Sequence, residues 1–407
     1  MTRVLPTGWK EKTLGEVSKI GAGNSAPQDP SCFVNGSYNF FRTSDIGKVH
    51  FGRIERSEDL LNQKGCQGLH LFKAGTILIP KSGASTFLNH RVKMEKDGYV
   101  VSHLATVEAN NNIVDEDYLL YFLSTIDSKT LIQSHSYPSL NLPIISSIKV
   151  IFPSLLEQKR IVEKLDKIFA DIDKAKENTN KNLENTKEIF CSELQKVFEN
   201  KNLNWVKYKL SKITTKIGSG ATPLGGRNSY ITTGISLIRS MNVYDNQFVY
   251  EELAHITKEQ AKKLDNVTIQ ANDLLLNITG ASVARCCVVP EDILPARVNQ
   301  HVSILRPISE LVNANFLCYL LISKPYKQKL LKDGEEGGST RQALTKEGLK
   351  CFEVSIPKDI QSQEDIVNQL NALRAKTQEL EQIYTKKLAD LDELKQSVLQ
   401  RAFSGKL

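Results

Sequence analysis

The sequence contains no apolar run near the roughly 18 residues that a membrane-crossing helix needs, and its first ten residues carry one Arg and no apolar stretch. Neither a transmembrane segment nor a secretory leader is expected. Cysteine is sparse: seven in 407 residues, an odd number, with Cys286 and Cys287 adjacent but no C-x-x-C spacing. A disulfide framework or zinc ribbon is therefore not expected, and reduced, mostly buried thiols in a cytoplasmic protein are.

Catalytic motifs are missing as well. No G-x-x-x-x-G-K-[ST] is present to cradle a nucleotide phosphate; Phe403-Ser404-Gly405-Lys406-Leu407 has the Gly-Lys pair without the loop before it or the hydroxyl after it. Lys19-Ile20-Gly21-Ala22-Gly23-Asn24 looks like a fragment of a cofactor-binding glycine loop, but no convincing strand precedes it and its twin recurs later, so it reads as a turn. There is no N-P-P-[FY] or D-P-P-[YF] of the kind a base methyltransferase places beside its target base. The histidines show no metal-ligand spacing, and the carboxylates form no nuclease-like cluster with a Lys. The expectation is a chain without catalytic residues, resident metal or cofactor.

What is present is an ordinary globular composition, 40% hydrophobic and 24% charged, long enough for two or three domains. Lys and Arg exceed Asp and Glu by 2 in residues 1–153 and by 5 in 204–357, and balance them in 154–203 and 358–407. A polyanionic partner would therefore meet the two larger segments.

Those two segments are copies. Trp9 matches Trp205, each followed by a Leu and then by K-I-G-x-G. Phe40-Phe41-Arg42-Thr43-Ser44-Asp45-Ile46 matches Leu237-Ile238-Arg239-Ser240-Met241-Asn242-Val243, and the run 75–85 (GTILIPKSGAS) matches 272–282 (NDLLLNITGAS). His103 aligns with His301 and reads as a framework residue. The strand ending at Pro153 matches the one ending at Pro357. Each copy reads as α/β with short strands, among them 75–80 and 272–278, and short helices at 117–123 and 315–321. A framework kept while the rest diverges suggests one scaffold turned to two targets.

After each Pro comes a different pattern. Apolar residues or Thr recur in steps of three and four at 161, 165, 168, 172, 175, 179, 183, 186, 190, 194 and 197. They do so again at 366, 370, 373, 377, 380, 384, 388, 391, 394 and 398, with no internal Pro or Gly in either segment. This is a coiled-coil seam, loosened by Thr179 and Thr186. A helix of about 40 residues spans about 60 Å, and two such stripes most economically cover each other as an antiparallel pair. The expected architecture is two repeated α/β domains, 1–153 and 204–357, separated by spacer helices at 154–203 and 358–407, with approximate two-fold symmetry.

Leu5-Pro6-Thr7-Gly8-Trp9-Lys10, the run GTILIPKSGAS, Gln158-Lys159-Arg160-Ile161-Val162 and the end Gln396 to Leu407 together resemble the specificity subunits of type I restriction-modification systems. The resemblance covers the whole chain. One departure is Asp359-Ile360-Gln361-Ser362-Gln363-Glu364-Asp365, which lacks the usual basic residue before Ile-Val and puts the contacts there in question. The resemblance implies two target-recognition domains, each reading half of a split double-stranded DNA site, with the helices as a ruler. It also implies two methyltransferase subunits using S-adenosylmethionine and restriction-translocase subunits using ATP and Mg. Leu165, Ile168, Ile172, Leu183, Phe190, Leu370, Leu373, Leu380, Leu388 and Leu391 become candidates for helix–helix and subunit contact. Arg or Lys suits guanine and Asn or Gln suits adenine in the major groove, so polar residues at strand ends are candidate base readers. These are Arg42, Thr43, Ser44, Lys81, Ser82 and Arg91 in the first copy. In the second they are Arg239, Asn242, Asn277, Thr279, Arg297, Arg341 and Gln342. A specificity subunit of a type IIB-like enzyme and a non-catalytic adaptor for proteins stay open as alternatives.

Overall fold

Both long helices form, Leu155–Glu199 and Ile360–Ala402, and each is shared between two structural units. The computed structural model describes residues 5–132, 138–199, 204–335 and 343–407. Unit 1 comprises Met1–Asn180 with Lys386–Leu407, and unit 2 comprises Lys181–Thr385. These divisions cut through both helices, because each unit packs an α/β body against a piece of both. At 1.5 Å per residue the 45-residue helix is about 65 Å long.

The bodies repeat one topology. In unit 1 a five-stranded sheet runs in the order Ser18–Ala22, Leu104–Ala109, Ile77–Pro80, Arg91–Met94, Phe51–Ile54. Unit 2 has the matching order Thr214–Ser219, Val302–Pro307, Leu274–Asn277, Cys286–Val288. Each body adds a three-stranded sheet and a two-stranded pair made by its outermost strands, and unit 2 has a further pair, Val243–Tyr244 with Gln247–Phe248. The outermost pair joins the first strand of the body to its last: Lys10 lies opposite Phe152, and Trp205 opposite Pro357. The central strands are apolar except at Asn277 because cores lie on both faces. Ile77 and Ile79 face the core that holds the helices, whereas Leu78 faces a second core around Phe40 and Phe41. Leu274, Leu275 and Leu276 alternate in the same way.

A buried helix backs each sheet. Glu116–Ser124 is capped by Asp115, whose carboxylate accepts from the N–H groups of Asp117 and Tyr118, both at 3.0 Å. Ala314–Ile322 is capped by Asn313, which accepts from Phe316 N–H at 3.1 Å.

One glutamine then ties each body to its long helix. Gln158 is fully buried; its Oε1 accepts from Asp115 N–H (2.8 Å) and its Nε2 donates to the carbonyls of Ile113 (3.1 Å) and Pro153 (2.9 Å). Gln363, equally buried, accepts from Asn313 N–H (2.9 Å) and donates to Leu311 (3.1 Å) and Pro357 (3.0 Å). The same three bonds thus recur at both junctions.

Within each unit the helix pieces run antiparallel. In unit 1, Lys176 pairs with Asp392 and Lys395 with Asp173 at 3.7 Å, while Ile161, Leu165 and Ile172 share a core with Leu399 and Phe403. In unit 2, Leu194 and Phe198 share a core with Val367 and Leu370, and Arg374 lies 6.0 Å from the Phe190 ring. Every expected seam position of the first helix is buried or half-buried. Thr179 and Thr186 are tolerated there because their hydroxyls donate to the carbonyls of Ala175 (2.7 Å) and Asn182 (2.8 Å), four residues back. In the second helix Leu370 is buried and Leu373, Leu388 and Leu391 are half-buried, but Leu380 and Leu394 are 37% and 47% exposed. The expected place of Leu380 in the seam is corrected: the inward face steps four residues from Thr377 to Glu381, then to Tyr384, which turns Leu380 outward.

Among the described residues no helix is long and apolar enough to cross a membrane, and no group of His, Cys, Asp or Glu could hold a metal ion. All seven cysteines are free; Cys32, Cys286, Cys287 and Cys318 are buried.

Candidate nucleic-acid interface

The loop leaving the central strand is built identically in the two units and carries different side chains. In unit 1, Lys81 N–H donates to the His103 carbonyl (3.0 Å), Leu140 N–H donates to the Lys81 carbonyl (2.9 Å), and Ser82 bridges Ser139. In unit 2, Ile278 N–H donates to His301 (2.9 Å), Leu344 N–H to Ile278 (2.8 Å), and Thr279 bridges Ala343. The glycines that follow, Gly83 and Gly280, have φ of +75° and +76°, and a Cβ on either would meet nothing within 4 Å. Glycine is needed there for the backbone turn and not for space. Main-chain bonds thus hold one framework, leaving Lys81 or Ile278, and Ser82 or Thr279, free to differ.

Beside this loop unit 2 opens a cleft of about 600 Å³. Thr279, Ser282 and His301 line it together with Ser240, Met241, Tyr244 and Arg285. Polar contacts run along it: Thr222 Oγ1 bonds Gln300 Oε1, Gln300 Nε2 lies 3.2 Å from His301 Nε2, and His301 Nδ1 lies 2.6 Å from Thr279 Oγ1. Arg285 lies half-buried over the Tyr244 ring, 4.3 Å from the centroid.

Four expected base readers are corrected. Arg91 is 2% exposed, donates to the His90 carbonyl and Ser128 Oγ (both 2.8 Å), and burial pushes its guanidinium down to about 10. Arg297 is buried, donating to the carbonyls of Ala261 (3.2 Å) and Ala296 (3.0 Å) and paired with Asp265 at 2.8 Å. Asn242 is fully buried and donates to the Val249 carbonyl at 2.9 Å. Asn277, also fully buried, donates to the Ser240 carbonyl at 2.8 Å and so pins the turn at the foot of the cleft. None can meet a base without leaving a buried partner unsatisfied.

Arg42 and Arg239 occupy equivalent places. Arg42 pairs with Asp59 between the rings of Phe33 (5.5 Å) and Phe40 (5.0 Å). Arg239 donates to the Glu252 carbonyl beside Tyr230. Thr43 and Ser44 begin the helix Thr43–Val49, half-buried and exposed respectively, and Lys81 and Ser82 are half-buried at the loop. Arg341 and Gln342 lie outside the described residues. Sequence reasoning missed Tyr244 and Arg285. The signal for Arg285 was its place three residues after the GAS loop, a cation entering an otherwise apolar strand.

A family model for the type I restriction modification DNA specificity domain matches residues 6–185 and, a second time, 198–389. The chain belongs to this family. Its relatives include the type I restriction enzyme EcoBI specificity subunit of Escherichia coli, 27% identical over 312 residues that cover 70% of this chain and 64% of that one. The MjaVIII specificity subunit of Methanocaldococcus jannaschii is 22% identical over 348 residues, 81% of this chain and 78% of that one. Among solved structures, a chain from work on complex assembly and conformational transition of the type I R-M system superposes with a TM-score of 0.78 at 18% identity, covering all of both chains. The HsdS subunit from Thermoanaerobacter tengcongensis gives 0.64 at 19% identity, covering 100% of this chain and 99% of that one. In these terms each unit of the present chain carries one specificity domain, and the loop framework above is the part the two domains share.

Proposed function

We propose that this chain reads an asymmetric, bipartite site in double-stranded DNA, one half per domain. It would direct two methyltransferase subunits and the restriction-translocase subunits of a cytoplasmic type I complex to that site. The observation that carries the reading is the duplicated loop framework with unlike side chains: the main chain sets where contacts are made, and the residues mounted on it set which bases are accepted. Lys81, Ser82, Thr43 and Ser44 are the base- or phosphate-contacting residues of the first domain, and Thr279 serves in the second. Arg42 and Arg239 hold their loops in shape. The larger positive excess of residues 204–357 supports the same partner.

S-adenosylmethionine, ATP and Mg belong to the partner subunits, whose chemistry this chain aims. The long helices set the unread gap between half-sites. Leu380, turned out of the seam, and the exposed Ile189 and Ile383 offer apolar surface for protein contact in unit 2.

Exchange of residues 204–357 for the corresponding domain of another family member, followed by mapping of methylated bases in cellular DNA, tests this. One half of the target is expected to change while the other half stays. A change in both halves, or in neither, overturns the proposal.

A further inference from the structure

The second domain holds five described arginines between residues 204 and 357, and four of them are already committed to a carboxylate. Arg227 and Arg239 lie 3.3 and 3.8 Å from Glu252, Arg297 lies 2.8 Å from Asp265, and Arg306 lies 2.7 Å from Asp273. Among the described residues Arg285 has no acidic partner. Its guanidinium instead rests on the face of Tyr244 in the lining of the 600 Å³ cleft, to which Thr279 and Ser282 also belong.

Stacking of this kind restrains the guanidinium plane while leaving its edge N–H groups unused. A planar donor fork matches one base edge in the major groove, the O6 and N7 acceptors of guanine; adenine offers a donor in place of O6. A phosphate would also accept the fork, but a phosphate contact needs no aromatic platform and no recessed wall. We propose that Arg285, positioned by Tyr244, specifies a guanine in the half-site read by residues 204–357. This rests on the reading of the chain as a DNA-specificity subunit and adds a residue and a base to it.

The test uses the full chain assembled with its methyltransferase partner, S-adenosylmethionine and a library of duplexes randomised across the mapped site. With Arg285→Ala, preference for guanine over other bases is expected to fall about 5–150-fold at one position of one half-site, the worth of a single bidentate pair. The other half-site keeps its preferences, which reports that the subunit is folded and assembled. Arg285→Lys retains part of the affinity and loses most of the discrimination, since an ammonium donates without the planar fork. Tyr244→Phe behaves as the parent, while Tyr244→Ala weakens the guanine preference without moving it to another position.

Three results overturn the proposal. One is an unchanged base preference. Another is uniformly weaker binding on all sequences with a salt dependence reduced by about one ion, which marks a phosphate contact. The third is loss of both half-sites by the lysine and alanine variants alike, which marks a structural role. Should the complex built on the parent chain methylate no defined sequence at all, the DNA-specificity reading itself fails. A mapped parent site indifferent to Arg285 sinks the present inference alone.

Discussion

Gln158 and Gln363 are the two side chains whose removal has the most predictable cost. Substituting Gln158 by Met keeps length and volume but deletes one acceptor and two donated bonds. Asp115 N–H and the carbonyls of Ile113 and Pro153 then face an apolar side chain at a position fully closed to solvent. Each stranded buried group costs about 1–3 kcal/mol, and the added apolar contact returns part of the total, so a loss of about 3–5 kcal/mol is expected. For a unit of about 200 residues this is a fall in melting temperature of about 6–20 °C.

The consequence is local. Asp115 caps the helix Glu116–Ser124, so Gln158→Met speeds amide exchange at 113–118 and leaves 311–316 unchanged; Gln363→Met does the reverse. Gln158→Glu keeps the acceptor for Asp115 but at neutral pH points a carboxylate oxygen at carbonyl oxygens. Its protonated form regains one donor, so the stability of that variant recovers as pH falls. Thermal denaturation paired with hydrogen exchange reads all of this. A loss below about 1 kcal/mol, or exchange that speeds equally in the untouched unit, would refute the reasoning that these groups depend on the glutamine.

The other expectations concern unit 1. Arg91→Ala removes a buried guanidinium from the His90 carbonyl and Ser128, so it lowers the melting temperature while the methylated sequence stays the same; a changed sequence with unchanged stability would return Arg91 to the interface. His90 titrates below its ordinary value of 6.5, through burial first and then through His50 and Arg91. The unfolded chain thus takes up a proton that the folded chain resists, so stability is full above the ordinary value and falls as pH drops through it, levelling off below the folded value. Urea midpoints between about pH 7.5 and pH 5 should show this slope, and His90→Asn should flatten it; an equal slope in the variant assigns the effect to other groups.

The seam of the first helix was legible because burial there is set by periodicity alone, and even its two threonines keep their place by donating to their own helix. The second seam was read less well at Leu394, which is exposed, and at Leu380, where a four-residue step follows Thr377 and no residue announces it. The junctions show how a local signal was misweighed. The absence of a basic residue before Ile366 put the contacts there in question, yet the residue that makes the contact is the glutamine three before Ile-Val, present as Gln158 and as Gln363. In the first copy the nearest basic residue, Arg160, pairs with Glu157 and donates to Leu407 O, and it does not touch the junction.

The base-reader rule failed at four positions for a related reason. Asn242, Asn277 and Arg91 stand at strand ends and Arg297 inside a short strand, where polar side chains are recruited first to satisfy nearby main-chain groups. Composition cannot separate a polar residue that closes a loop from one that faces outward, but the count of available partners can. Among the described residues of a domain where Glu252, Asp265 and Asp273 each hold an arginine, Arg285 is the one left over, and this is why we propose its donors for DNA.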